Sequence, residues 1–479
     1  MKRRECMKVV GQMAAIAAMP PFVLAQDKRE LPAPATGPLR VHAKNPRYFS
    51  DASGRAILLV GSHMWNNLVD MGRSDPPETF DFAAYLDFLE RYGHNFIRLW
   101  TWDSTTWDTR ANRGLGKDFV HHVGPLPWAR VGADKALDGK PKFDLNQFDP
   151  AYFERLRKRV SEAGRRGIYV SVMLFEGWGL MHGNSGRAAP AGWAWRGHPF
   201  HPDNNVNGID AGFAGDRNSG KPHSLVNAKV NEIQAAYIRR VVDTVNDLDN
   251  VLYEVINEGG EQKWDWWIAE TVREHQRSKP KQHPIGITGH GAEDLKSMLA
   301  SPTDWISPGS KDGFRDDPPA WEGRKVSLLD TDHVWGIGGN QAWVWKSFLR
   351  GHNPLFMDPY DGSVLGKAFD PQWEPVRRSL GLARRLAARA DLASMTPHNA
   401  LASTQYCLAD PASEYLVYLP TGGKATVDLS KGQGNFAVEW LECSTGESQK
   451  AETVNGGAER EFTAPFAGDA VLHLFTKTE

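Results

Sequence analysis

Residues 149–176 read DPAYFERLRKRVSEAGRRGIYVSVMLFE, and this stretch indicates the fold of most of the chain. Asp149-Pro150 is a helix start signal, and Gly167 follows the helix that we predict over Pro150–Arg166. The next run, Ile168–Phe175, is apolar and rich in β-branched and aromatic residues, as in a strand buried on both faces of a parallel sheet. The repeating unit is therefore a helix followed by a buried parallel strand.

The same unit recurs along the chain. We predict strands over Ala56–Gly61, Asn95–Thr101, Ile168–Phe175, Val251–Ile256, Ile285–Thr288, Asp304–Ser307, Lys325–Leu329 and Pro354–Met357. Further helical patterns cover Phe80–Tyr92, Leu225–Leu248, Ala342–Leu349 and Trp373–Ala390. Repeats of this kind predict an α/β fold, a (β/α)8 TIM barrel with long loops. An open doubly wound sheet is the alternative, but no glycine-rich phosphate turn follows the first strand.

The pattern of hydrophobic residues changes near Thr396. Short alternating stretches separated by glycine-rich turns predict a small C-terminal antiparallel β-sandwich, with strands at Tyr415–Leu419, Ala425–Leu429, Phe436–Leu441 and Ala470–Phe475. This part is poor in clustered acids, bases and histidines, so we interpret it as an accessory domain. The predicted organisation is an export signal at 1–25, a catalytic barrel at 30–395 and the β-sandwich at 396–479.

Composition excludes several classes of protein. The 479 residues carry 56 Lys and Arg against 58 Asp and Glu, a formal net charge of -2, whereas a nucleic-acid binder needs a basic surface. The 3 cysteines are too few for a disulfide scaffold or a Cys-rich zinc module. Cys407 and Cys443 either pair in an oxidising compartment or stay as two buried thiols.

The first residues have the pattern of an export signal. Lys2-Arg3-Arg4 precedes an apolar run, Met13–Leu24, which is too short to span a membrane, and Ala25 suits cleavage. Arg3-Arg4 resembles a twin-arginine signal, and an ordinary secretory signal is the alternative. We expect a periplasmic or secreted protein without a membrane span in its mature part.

In a barrel of this kind the active site lies at the carboxyl ends of the strands. Strands four and seven lie on opposite sides of the mouth, and both end in carboxylates: Glu258 on one, Asp330 and Asp332 on the other. Two facing carboxyl groups can hydrolyse a glycosidic bond. Other polar and aromatic residues near strand ends are candidates for substrate binding, namely His63, Arg98, Trp102, Glu176, Trp178, Asn257, His290, His333, Trp335, Asp358 and Tyr360.

Two motifs carry a resemblance to a known family. Val251–Glu258, which ends in Asn257-Glu258, resembles the fourth-strand signature of the clan A glycoside hydrolases, and Asn95–Arg98 resembles their second strand. With Gly61–Trp65, the chain is similar to the cellulase-like and apiosidase-like families, and its tail to the small β domain that often follows such barrels. The resemblance implies that Glu258 is the acid/base, that Asn257 bonds a sugar hydroxyl and that Arg98 supports the nucleophile.

The sequence departs from that family at strand seven, where the clan has a Glu nucleophile. Here the strand ends in Asp330-Thr331-Asp332-His333, and alternation predicts that both aspartates face the mouth. We expect one of them, preferably Asp332, to act as nucleophile in a retaining mechanism that needs no cofactor and acts on a poly- or oligosaccharide. A wider gap between the carboxyl groups that admits a water would give inversion instead. Two alternatives are a carbohydrate-binding barrel without hydrolysis and a metal-dependent hydrolase that uses Asp330, Asp332 and His333.

Overall fold

The computed structural model describes residues 33–108, 120–182, 194–212, 221–289, 295–364 and 371–476. Eight parallel strands form one sheet, in the order β1-β8-β7-β6-β5-β4-β3-β2. These strands are β1 Gly61–His63, β2 Phe96–Leu99, β3 Tyr169–Glu176, β4 Val251–Asn257, β5 Ile285–Thr288, β6 Trp305–Ser307, β7 Val326–Asp330 and β8 Asn353–Met357. All are buried on both faces, which explains their continuous apolar sequences.

The sheet closes at the seam between β1 and β2. The backbone N–H groups of Asn95 and Phe96 donate to the carbonyl oxygen of Val60 at 3.0 and 3.1 Å. A Cβ on Gly61 would lie 1.8 Å from the carbonyl oxygen of Phe96, so only glycine allows the two strands to approach this closely. The predicted (β/α)8 barrel is therefore confirmed.

The predicted first strand, Ala56–Gly61, is wrong in position. Ala56–Ile57 belongs to a three-stranded antiparallel sheet that precedes the barrel, and the barrel strand is Gly61–His63. Between them, the N–H groups of Leu59 and Val60 donate to the side-chain oxygens of Asn353 and Asn95 at 3.0 and 2.9 Å. Side-chain amides take the place of a neighbouring strand there, and hydrophobicity alone does not reveal that.

Five helices around the barrel lie close to their predicted positions: Phe82–Tyr92, Pro150–Arg165, Ala228–Val245, Gln341–Leu349 and Glu374–Ala387. Two further helices, Gln262–Gln276 and Leu295–Ala300, were not predicted. Asp149 caps the helix Pro150–Arg165, because its carboxylate accepts from the N–H of Ala151 at 3.0 Å. The loops after β1 and β2 contain further antiparallel strands, at Asp70–Gly72, Thr106–Asp108, Val120–Gly124, Trp128–Lys135 and Pro141–Phe148. None of the helices in the described ranges is long and apolar enough to cross a membrane.

The C-terminal part forms the predicted antiparallel sandwich. One sheet has six strands, Thr396–Pro397, Cys407–Asp410, Glu414–Leu419, Ala470–Thr476, Asn435–Glu442 and Ser448–Asn455 in spatial order, and the other pairs Lys424–Asp428 with Glu459–Thr463. Cys407 and Cys443 are buried free thiols, so the pairing alternative is not what the structure shows. Burial raises the pKa of Cys407 to about 12, which makes this thiol inert near neutral pH.

Candidate active site

Arg98 on β2 is the centre of the charged groups inside the barrel mouth. Its guanidinium donates to Glu254 at 2.5 Å, to Asp330 at 3.1 Å and to Asp332 at 2.9 Å. Its Nη2 also donates to the Oδ1 of Asn257 at 2.6 Å, which leaves the amide nitrogen of Asn257 facing the other way. One buried cation therefore fixes side chains from both β4 and β7.

The two aspartates at β7 have different environments. Asp330 is completely buried, contacts His63 at 2.8 Å and accepts from the backbone N–H of Asp332 at 3.0 Å. Burial opposes its charged form, but His63 and Arg98 outweigh that effect and hold the pKa of Asp330 well below its usual range. Asp330 is thus an ionised residue behind the cleft.

Asp332 lies at the surface of the cleft. β7 ends at Asp330, and residues Thr331–Val334 form a short helix, so the strand alternation that predicted equivalent positions for the two aspartates does not extend to Asp332. Asp332 and Glu258 line one cleft of about 390 Å³ together with His333 and Trp335. Burial and the charge of Asp330 raise the pKa of Asp332, while Arg98 opposes this shift.

Glu258 follows β4 and faces Asp332 in this cleft. Its φ of 45° lies in the left-handed region, where a residue with a side chain is uncommon, and two glycines with positive φ follow it. The carbonyl oxygen of Glu258 packs on Gly177, where a Cβ would lie 1.8 Å from it. Burial, and then the charges of Asp332 and Glu176, raise the pKa of Glu258 well above its usual range. A carboxyl group in this environment keeps its proton near neutral pH.

Glu176 ends β3 beside Asn257, its register partner on β4. Its Oε2 accepts from the backbone N–H of Gly179 at 2.9 Å, and its side chain is 1% exposed. Burial raises the pKa of Glu176 well above its usual range, and the charge of Asp103 adds to that shift. Glu176 is thus a second buried carboxyl group with a raised pKa close to Glu258.

Other predicted substrate contacts lie at the mouth or behind it. His333 contacts Ser307 at 2.8 Å and Asn257 at 3.2 Å, and so links β6, β4 and the short helix after β7. His63 lies behind Asp330, and Trp335 lines the cleft. Trp178 is 9% exposed and packs on Trp65 with ring centroids 4.8 Å apart.

Three of the predicted contacts pack against or pair with other side chains. Trp102 is 1% exposed and packs among other indoles, with Trp107 stacked 5.2 Å away, so its face is closed to a sugar. Asp358 is fully buried and binds the guanidinium of Arg377 at 2.8 Å. Tyr360 packs edge-on against an aromatic cluster and contacts Phe88 with ring centroids 5.0 Å apart. Each was predicted as a substrate contact because it follows a strand. In the structure each contacts side chains behind the rim of the barrel.

His290, the remaining predicted contact, and the export segment at 1–25 lie outside the described residues. Sequence reasoning missed Glu254, which is fully buried on β4 and bonds both Arg98 and the hydroxyl of Ser171, at 3.2 Å. A charged residue in the middle of an otherwise apolar strand was the signal that could have identified it. Ser307, which orients His333, carries no comparable signal in the sequence.

The structure gives no support to a metal site at Asp330, Asp332 and His333. The cation that contacts both aspartates is the guanidinium of Arg98. Within the part of the chain that the structure describes, no group of three or more His, Cys, Asp or Glu side chains has an arrangement that could hold a metal ion.

Comparisons with known proteins agree with the architecture. A family model described as a domain of unknown function (DUF6298) matches residues 94–299, and one described as "Putative collagen-binding domain of a collagenase" matches residues 393–474. No curated protein sequence matches the chain.

Solved structures give the clearest likeness. A glycoside hydrolase family 5 protein from Bacteroides vulgatus superimposes with a TM-score of 0.58 at 14% identity, over 92% of this chain and 94% of that one. Another structure, titled as a glycoside hydrolase, has a TM-score of 0.54 at 13% identity, over 92% of this chain and 98% of that one. The fold is that of these glycoside hydrolases. The predicted resemblance is therefore confirmed for the fold, and the second family model covers the small β domain that was expected at the tail.

Proposed function

We propose that the protein is a glycoside hydrolase that cleaves O-glycosidic bonds of a poly- or oligosaccharide with two carboxyl groups. The observation that carries the proposal is that Glu258 and Asp332 line the same cleft from opposite sides of the barrel mouth. Both are almost buried, at 8% and 9% exposure, so a bound sugar excludes water from them. The glycoside hydrolase structures that share this fold support the same reaction class.

The environments of the two groups assign their roles. Burial, and then the charges of Asp332 and Glu176, raise the pKa of Glu258, which makes it the proton donor to the leaving oxygen. Asp332 bonds Arg98 at 2.9 Å, which favours its ionised form, so it supplies the electron pair. Asn257 presents its amide nitrogen away from Arg98, where it can bind a sugar hydroxyl.

We further propose a retaining mechanism. Asp332 attacks the anomeric carbon while Glu258 protonates the leaving oxygen, and a water activated by ionised Glu258 then hydrolyses the glycosyl ester. Proton NMR of the first product distinguishes the outcomes, because retention gives a sugar with the anomeric configuration of the substrate. A first product of opposite configuration would replace this step with direct attack by water.

Replacement of Glu258 by Gln tests the assignment. With aryl glycosides of both anomeric configurations, we expect turnover of substrates with poor leaving groups to fall by about 10²–10⁴-fold. Substrates with dinitrophenyl leaving groups need little protonation and should lose far less in the first step. Glu261→Gln is the matched control, since Glu261 is exposed three residues away. Equal turnover by the parent and Glu258→Gln would remove the assignment.

We also propose that the protein is exported, on the basis of the N-terminal segment alone. Fractionation of cells that express the full chain should place the processed protein outside the cytoplasm. Replacement of Arg3 and Arg4 by Lys should retain it inside if export uses the twin-arginine route. An ordinary secretory signal would tolerate that replacement.

A further inference from the structure

The side chain of His63 lies at the end of β1, between an indole and a carboxylate. Its Nδ1 is 3.0 Å from the Nε1 of Trp100, and its Nε2 is 2.8 Å from the Oδ2 of Asp330. An indole N–H is a donor only, so Nδ1 accepts from it and carries no proton. The single ring proton then lies on Nε2, and this N–H group donates a hydrogen bond to Asp330.

The surroundings keep Trp100 in this position. Its backbone N–H donates to the Oδ1 of Asn67 at 2.8 Å, and the guanidinium of Arg98 lies 4.8 Å from its ring centroid. The imidazole and the indole are also stacked, with centroids 5.8 Å apart and planes at 18°. His63 is 1% exposed, so no water would separate its Nδ1 from the indole. A second proton on Nδ1 would therefore point directly at the N–H of Trp100, which is unfavourable.

We infer that His63 is a positioning residue, which in its neutral Nε2–H form orients Asp330 behind Asp332 without adding positive charge. Asp330 receives three donors: His63, the Nη1 of Arg98 and the backbone N–H of Asp332. The third of these bonds fixes the first turn of the helix that carries Asp332. The placement of Asp332 therefore depends on Asp330, and the orientation of Asp330 depends on His63.

The neutral form matters for the charge of the site. Arg98 lies against the carboxylates of Glu254, Asp330 and Asp332, and the imidazole of His333 is 3.5 Å from Asp332. With a neutral His63 the cluster keeps surplus negative charge, which stabilises the positive charge that develops on the sugar in the transition state. A cationic His63 would cancel part of this surplus. This kinetic consequence rests on the proposed function, whereas the form of the imidazole does not.

Nitrogen-15 NMR of the full chain tests the form of the imidazole directly. Long-range correlations between ring protons and ring nitrogens distinguish the two neutral tautomers from the imidazolium, and the signals missing from His63→Gln identify His63. We expect the Nε2–H tautomer in the folded protein, because the indole N–H of Trp100 occupies Nδ1. An imidazolium or an Nδ1–H tautomer would overturn the inference. In Trp100→Phe, which removes the indole donor, we expect one of those forms to appear.

Kinetics of two His63 variants test the positioning role. His63→Gln keeps a neutral N–H donor toward Asp330, and His63→Leu has none. We expect the Leu variant to lose about 10²-fold in kcat with little change in KM, and the Gln variant to recover at least a tenth of the wild-type kcat. Equal losses in folded Gln and Leu variants, or wild-type kcat in the Leu variant, would contradict the role. If wild type hydrolyses no glycoside, the proposed function fails while the NMR experiment still decides the tautomer.

Discussion

The ends of β4 and β7 each present one carboxyl group to the cleft, but they hold it in opposite ways. Glu258 follows β4 on a backbone in the left-handed region, and burial, then the charges of Asp332 and Glu176, raise its pKa. Asp332 follows β7 in the first turn of a helix and bonds the guanidinium of Arg98. Burial acts on both groups, so the difference comes from the charge beside each one.

This difference accounts for the opposite roles that we propose for two nearly identical side chains in one cleft. A carboxyl group close to negative charge keeps its proton, and one that shares a cation gives it up more easily. The neighbours that distinguish the two groups are Glu176 beside Glu258 and Arg98, which bonds Asp332. The predictions below change one neighbour or one carboxyl group at a time.

The largest effect is expected at β7, where the two aspartates can be separated. Asp332→Asn removes the proposed nucleophile, and we expect kcat/KM to fall by on the order of 10³–10⁴-fold with the melting temperature almost unchanged. Asp330→Asn instead places an amide N–H against buried donors, and we expect a loss of stability of about 1–3 kcal/mol besides lower activity. Steady-state kinetics and thermal unfolding measure the two effects.

The control for both variants is Asp316→Asn, since Asp316 is exposed in the loop before β7. A small kinetic effect of Asp332→Asn, together with a large one of Asp330→Asn at normal stability, would reverse the assignment of the two residues. In that case the charge beside Asp332 would no longer explain why β7 supplies the nucleophile and β4 the acid.

The part of this site that the sequence predicts is the part that strand positions determine. Four site residues lie in strands, or directly after strands, whose apolar runs are long enough to recognise: Asn257, Glu258, Arg98 and Asp330. Barrel topology then brings them together at the mouth of the barrel. The distinction between Asp330 and Asp332 does not follow, because it depends on where β7 stops and a helix begins, one residue later.

Burial behind the rim is the other feature that the sequence does not predict. Trp102 and Asp358 follow strands as a substrate contact would, but an indole cluster and Arg377 enclose them. The converse case is Glu254, an acidic residue that bonds Arg98 from inside a strand predicted to be apolar. In each case the deciding partner is distant in sequence, so no local pattern contains it.

The pH dependence of kcat/KM sharpens the comparison between the strand ends. The proposed mechanism needs Glu258 protonated and Asp332 ionised, so activity should fall on both sides of a maximum. Burial and the nearby carboxylates raise the pKa of Glu258, and activity is therefore lost as pH rises through that raised value. Asp332 must lose its proton, so activity is lost as pH falls through its own pKa, which burial also raises.

Glu258→Gln identifies the group behind the alkaline limb. A dinitrophenyl glycoside needs little acid assistance, so this variant still cleaves it in the first step. The rate of that step should still fall at low pH but no longer fall at high pH, because Gln does not titrate. Pre-steady-state release of dinitrophenol across the pH range measures this. An alkaline limb that persists unchanged would show that another group donates the proton.

The smallest effect is expected at Glu176 and concerns stability. Burial raises the pKa of Glu176 in the folded protein above its unfolded value, so the folded state binds the extra proton. The stability from this proton is fully present below the unfolded pKa and is lost as pH rises through the folded value. Glu176→Gln is neutral throughout and removes that loss. We therefore expect its melting temperature to exceed that of wild type by roughly 2–4 °C at pH 8, and the gain to disappear toward pH 4, where wild type is protonated.

Glu261→Gln, at an exposed position, should show no such pH-dependent gain. A gain of equal size at both pH values would mean that Glu176 does not change its charge between them, which would contradict its raised pKa.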